Sequence, residues 1–149
     1  MADSSAYRPS TAAEPRGNND IAVCEVATGK TWTIAKGTSE ESPWYDARVS
    51  PDGQWIAYQF SRKVGASIFA AKIDGSETRK LLEVDGKKEE VGLEGWSPDS
   101  KHVIVQSWGT GPEIPSECLF FGLDAKTGAK TGIAKLPRGT IRRAEECGH

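Results

Sequence analysis

The strongest constraint on this chain is that it repeats itself. The segment Val49-Ser50-Pro51-Asp52-Gly53-Gln54-Trp55-Ile56-Ala57-Tyr58-Gln59 returns as Trp96-Ser97-Pro98-Asp99-Ser100-Lys101-His102-Val103-Ile104-Val105-Gln106. The Ser-Pro-Asp turn, the apolar trio after it and the closing glutamine all match at an offset of 97 − 50 = 47. A second element follows the same period, running from Ile21 to Val26 and again from Ile68 to Ile73. Its third copy, Leu119 to Leu123, reads as shifted by about three residues, with the Gly/Pro-rich stretch 109–117 as the insertion. Each copy ends in a glycine turn: Thr28-Gly29, Asp74-Gly75 and Thr127-Gly128. A period of this length builds stacked units, each hiding apolar surface against its neighbours.

The units read as β. Short runs rich in β-branched and aromatic residues are broken by turn signals every eight to twelve residues or so, and no segment has helical periodicity. The first full repeat predicts strands near Tyr45–Val49, Gln54–Phe60, Ser67–Ile73 and Thr78–Glu83. The second predicts them near Val91–Trp96, Lys101–Trp108, Cys118–Asp124 and Lys130–Leu136. Asp20–Val26 and Thr31–Ala35 read as the last two strands of a preceding unit. Trp55 to Tyr58 and Val103 to Val105 are apolar without alternation, as expected of strands covered on both faces. The expectation is an all-β fold: a partial β-propeller of about two and a half four-stranded antiparallel blades. The half blade spans 20–36 and the blades span 44–84 and 90–137. Residues 1–19 are expected to be disordered and 138–149 to form a flexible tail.

The turn has a mechanism. Pro51 and Pro98 preset φ at the first central position of a type I turn, Asp52 and Asp99 suit the second, and Gly53 suits the last. The Ser50 and Ser97 side chains can cap it through a nearby backbone N–H. These seven residues are therefore assigned to turn-making. Trp32, Trp55 and Trp96 fall within strands and read as core. Trp44 and Trp108 fall at strand ends beside loops and are the candidates for protein contact.

These residues resemble the TolB-type β-propeller repeat, a relative of the WD-type repeat. The resemblance rests on Trp96-Ser97-Pro98-Asp99 and the apolar strand after it, on the strand ending in Asp74-Gly75, and on Arg79-Lys80-Leu81-Leu82. It covers residues 20–137. Val49 stands where the repeat often has Trp, and Ser100 where it often has Gly. The resemblance implies a scaffold. TolB is a periplasmic protein whose propeller binds other envelope proteins. Similar propellers precede the catalytic domain of prolyl-oligopeptidase-like serine peptidases or end large bacterial receptors and kinases. A ring of four or more blades is needed for closure, so the open β edges are expected to invite self-association.

Charge and composition exclude several classes. A net charge of −2, with Arg138, Arg142 and Arg143 offset by Glu145 and Glu146, does not suit nucleic acid. No apolar run has the length of a membrane span. The first residues lack the apolar core of a secretion signal, so the chain as written reads as cytoplasmic, or as periplasmic if a longer N-terminus precedes it. Cys24 and Cys118 read as small buried hydrophobes. Cys147 and His149 are too few to hold zinc, and no metal or cofactor is expected.

Catalytic patterns are lacking too. Gly65-Ala66-Ser67 and Gly95-Trp96-Ser97 lack the trailing glycine of a nucleophile elbow. His102 begins an inner strand at the position that Trp55 holds in the other repeat, and reads as a packing or hydrogen-bonding residue. Glu40-Glu41 and Lys87-Lys88-Glu89-Glu90 read as solvated loops. The expected function is a non-catalytic module for protein–protein interaction or scaffolding. The alternatives are the propeller portion of a larger enzyme, such as a prolyl-oligopeptidase-like peptidase, and a fragment without independent function.

Overall fold

The computed structural model describes residues 4–7, 19–38, 40, 42–110 and 117–137. Among them lie eleven strands and no helix. The strands are β1 (Ser4–Tyr7), β2 (Ile21–Glu25), β3 (Lys30–Ala35), β4 (Ser42–Val49), β5 (Trp55–Ser61), β6 (Ala66–Lys72), β7 (Thr78–Val84), β8 (Glu89–Trp96), β9 (His102–Gly109), β10 (Glu117–Asp124) and β11 (Lys130–Pro137). They form three antiparallel sheets: β1-β2-β3, β4-β5-β6-β7 and β8-β9-β10-β11. Each sheet is a meander of chain neighbours, the topology short turns impose. β4 and β8 lie against one another on the inner side of the stack. β3, β7 and β11 are the outer edges.

Two cores separate the sheets. Ile21 and Val23 meet Ile56, Tyr58, Phe60 and Ala71 between the first and second sheets. Ala57, Ile68, Ala70 and Leu81 meet Val91, Leu93, Val103, Val105, Phe121 and Leu123 between the second and third. Successive residues of β5 thus serve opposite cores: Ile56 and Tyr58 face back, Ala57 faces forward. This is the period-two geometry of a strand buried on both sides. Tyr58 stacks on Phe69 with ring centroids 5.2 Å apart, and Phe60 meets both rings edge-on. Burial pushes the Tyr58 phenol up to about 12, against a lowering hydrogen bond with Thr78.

Polar ties recur at repeat-equivalent positions. The Trp32 indole donates to the Ile73 carbonyl at 2.7 Å, and the Arg79 guanidinium donates to that of Ala125 at 3.4 Å. Each bond runs from an outer strand to the next sheet. The Gln59 amide, 5% exposed, bridges two sheets: Nε2 donates to the Val91 carbonyl at 3.1 Å, and Oε1 accepts from the Leu93 amide at 2.9 Å.

Three departures from the sequence expectations concern the first sheet, the repeat offset and the cysteines. First, the segment expected to be disordered contains β1, which pairs with β2, Ala6 opposite Val23. Since Ala57 likewise sits opposite Ala70, β1 occupies the position of β5. The first sheet therefore has three described strands where two were expected. A four-residue Ser-Ser-Ala-Tyr run carries no readable alternation; its partner supplies the strand. Second, Phe121 pairs with Val105 as Phe69 pairs with Tyr58, an offset of 121 − 69 = 52. The insertion is therefore five residues, not three. Third, Cys24 is half-buried, whereas Cys118 is buried as expected; both are free thiols. The tail 138–149, with Cys147 and His149, lies outside the described residues.

Candidate functional site

Both Ser-Pro-Asp turns are built alike. The Ser50 hydroxyl donates to Asp52 Oδ1 at 2.6 Å and accepts from the Trp55 amide at 3.0 Å, and Asp52 Oδ1 also accepts from the Gln54 amide. The Gly53 amide donates to the Ser50 carbonyl at 2.9 Å. In the second turn Ser97 donates to Asp99 Oδ1 at 2.6 Å and accepts from the His102 amide at 3.0 Å, while Asp99 Oδ1 accepts from Lys101. The aspartates are thus engaged inside their own turns. The Ser97 hydroxyl and then the Lys101 amide hold the Asp99 carboxyl below its usual range. Pro51 and Pro98 supply the fixed φ.

The fourth turn position needs left-handed backbone. Gly53 adopts φ 71°, and Ser100 adopts φ 61° in its place. The Ser100 hydroxyl accepts the Asp52 amide at 3.1 Å, tying one turn to the next. The Trp96 indole does the same on the inner strands, donating to the Arg48 carbonyl at 2.8 Å.

The opposite end of the sheets carries an open cleft of about 410 Å³ between the second and third sheets. Asp46 of β4, Gln59 and Ser61 of β5, Glu90 and Glu94 of β8 and Trp108 of β9 line it, with Arg62 just past β5. Among the described residues its charged lining is three carboxylates and one guanidinium. Arg62 is engaged by Glu83 at 2.9 Å and by the Val84 carbonyl. Glu90 Oε1 accepts the Gly65 amide at 3.0 Å. Asp46 stands 3.6 Å from Arg48. The Trp108 ring lies over Gly92, where a Cβ would meet the ring at 3.3 Å. A side chain at position 92 would press on the ring closely enough that the ring would have to give slightly.

The candidates read from the sequence are thus scattered. Trp108 lines the cleft and is half-buried. Trp44 lies in β4, but its side chain is outside the described residues. The seven turn residues sit at the far end from the cleft. Trp32, Trp55 and Trp96 are half-buried and pack against the two cores. Trp55 also lies under Arg79, 5.0 Å from the guanidinium carbon to the ring centroid. Glu89 and Glu90, expected in a solvated loop, open β8 instead. Glu90 is half-buried, and Glu89 accepts from the buried Ser107 hydroxyl at 2.9 Å. Glu40 is exposed, and Glu41 lies outside the described residues. Asp46, Arg62 and Glu94 carried no sequence signal; Gln59 stood out only as a residue repeated at Gln106. Among the described residues no cluster of three potential metal ligands occurs.

No protein-family model and no curated protein matches the chain. Solved structures do match. The β-propeller domain of the Trilobed protease from Pyrococcus furiosus superposes with a TM-score of 0.62 at 17% identity over 95% of this chain and 42% of that one. The fold is a partial β-propeller, and the TolB-like repeat fits it. Pyrococcus horikoshii acylaminoacyl peptidase matches with a TM-score of 0.61 at 20% identity, over 82% of this chain and 21% of that one. TolB from Acinetobacter baumannii matches with a TM-score of 0.56 at 17% identity, over 91% and 35%. The chain therefore spans less than half of each of these three. At such identities the likeness speaks to fold.

Proposed function

We propose that this partial propeller is a non-catalytic module that binds another protein, and that the cleft between the second and third sheets is its contact surface. The observation that carries the reading is the cleft lining: Trp108 beside Asp46, Glu90 and Glu94, with Arg62, the one cation among the described lining residues, already engaged. An amphipathic ring flanked by carboxylates suits a basic segment of a partner, through cation–π and charge attraction. The probe is an acetylated arginine-containing pentapeptide, titrated against intrinsic fluorescence, with norleucine replacing arginine as control. The reading expects arginine-dependent binding that weakens with salt and is lost in Trp108→Ala. Equal binding of the two peptides, or binding indifferent to Trp108, would refute it.

A second reading, the propeller portion of a larger enzyme, is favoured by the likeness to a protease's propeller domain and to an acylaminoacyl peptidase. It expects a hydrolase domain in the same reading frame. A stop codon directly after His149 together with no hydrolase domain in frame would end that reading.

A further inference from the structure

We infer that the partner's segment carries acidic residues close to its cation, because the cleft is bordered by a preformed basic lip that receives them. The inference rests on the cleft reading above and adds the second half of the sequence that the surface selects.

Two loops build the lip. One joins β5 to β6 and carries Lys63 and Val64; the other joins β7 to β8 and carries Lys87 and Lys88. The Arg62 amide donates to the Gly65 carbonyl at 3.0 Å and closes the first loop. The two loops meet backbone to backbone. A Cβ on Gly65 would come within 2.8 Å of the Asp85 carbonyl carbon, and one on Gly86 within 2.5 Å of the Gly65 amide nitrogen. Only glycines allow that approach. Thr110, just past β9, ties the second loop from its other side. Its amide donates to the Lys88 carbonyl and its hydroxyl to the Gly86 carbonyl, both at 2.9 Å. The lip is therefore ordered before a partner arrives, and binding does not have to order it.

Its charge is of one sign. Lys63, Lys87 and Lys88 are exposed, and none makes an ion pair among the described residues. Asp85, also exposed, turns Oδ1 to the Lys87 amide at 2.9 Å. Three ammonium groups against one carboxylate leave the lip positive, and Val64 adds an apolar contact that is 53% exposed. The lip adjoins the cleft directly. Lys63 follows Arg62 of the lining, and Gly65, itself a lining residue, donates its amide to Glu90 of the lining at 3.0 Å.

A carboxylate-lined floor beside a lysine-bearing rim fits a segment that has both signs at short range. An extended chain advances about 3.3 Å per residue, so positions about two to four residues from the cation fall on the lip. A purely acidic segment, or an anionic lipid surface, matches the lip but meets Asp46, Glu90 and Glu94 with like charge. The occupant is therefore a protein segment with a basic residue in the cleft and carboxylates beside it.

Four acetylated and amidated peptides test this, each titrated against the intrinsic fluorescence of the 149-residue chain. They carry arginine or norleucine at the centre, flanked on both sides, about three residues away, by glutamates or by glutamines. The arginine–glutamate peptide is expected to bind at least about threefold tighter than the arginine–glutamine peptide, as a few exposed charge pairs provide. That gap is expected to close in the triple variant Lys63→Gln, Lys87→Gln, Lys88→Gln. It is expected to persist when Lys101, Lys126 and Lys130, exposed lysines at the turn end of the sheets, are changed to glutamine instead. Equal binding of the two arginine peptides would overturn the inference and leave the cleft reading standing. Loss of the arginine requirement would remove the cleft reading itself, and this inference with it. A gap that survives in the lip variant, or that closes as much in the other triple variant, would also overturn it. So would capture by phosphatidylglycerol vesicles that needs the lip lysines while the arginine peptides bind alike, which would assign the lip to a membrane surface.

Discussion

Replacing Gln59 with leucine tests the joint between the second and third sheets. The Gln59 amide holds Val91 and Leu93 of β8 by their backbone carbonyl and amide, at 3.1 and 2.9 Å. Those residues are 2% and 4% exposed, so water does not readily replace the amide. Leucine fills a similar volume but orphans both groups. A buried unpaired backbone group costs about 1–3 kcal/mol, and the added apolar burial returns about 1 kcal/mol. With two groups orphaned, the net loss is about 1–5 kcal/mol, a large share of the stability of a domain this size. Urea unfolding at fixed protein concentration reads it as a lower midpoint. Hydrogen exchange adds a local signature: the Leu93 amide loses protection. Gln106→Leu is the control. Its side chain makes no hydrogen bond among the described residues, so the change stays within about 0.5 kcal/mol. A Gln59→Leu loss below about 0.5 kcal/mol, or unchanged protection at Leu93, would refute the reasoning.

Three further outcomes follow from the geometry. Gly65→Ala is expected to cost at least about 2 kcal/mol in urea unfolding, because φ is 91° and a Cβ would press on the Val84 carbonyl. Trp96→Phe keeps the packing but removes the indole bond to Arg48, so its midpoint drops by the equivalent of about 1 kcal/mol. The pH profile has two arms. Ser97 and Lys101 hold Asp99 down, Ser76 holds Asp74 down, the Lys126 and Thr127 amides hold Asp124 down, and Lys80 and then Arg62 hold Glu83 down. Their stabilisation is present above the ordinary carboxylate range of about 4 and fades as pH falls below it. Tyr58 works oppositely: its contribution is whole below the ordinary phenol value of about 10 and fades as pH rises through about 12. Thermal melts across pH check both arms, and Tyr58→Phe abolishes the alkaline one.

The strands were legible because Trp55–Tyr58 and Val103–Val105 are apolar runs entered through identical turns. Which core each residue serves was not, since a strand covered on both faces shows no alternation; only the sheet stacking separates Ile56 from Ala57. The cleft was illegible for another reason. Asp46, Arg62, Glu90 and Glu94 come from separate strands and loops, and each alone is an ordinary surface charge. Trp108 was visible as an aromatic at a strand end, but its wall depends on Gly92, which no local pattern marks. Leu81 and Ile133, equivalent at the offset of 133 − 81 = 52, are bulge residues left unpaired where the registers slip, and that shift hid their equivalence.

The central claim is that the repeat stacks sheets face to face, with neighbouring residues of β5 serving different partners. Methyl-to-methyl nuclear Overhauser contacts in the labelled chain read this directly. Ile56 is predicted to report to Ile21 and Val23, and Ala57 to the group formed by Val91, Leu93, Val103 and Val105. Contacts from Ile56 and Ala57 to one and the same neighbouring sheet would contradict the account.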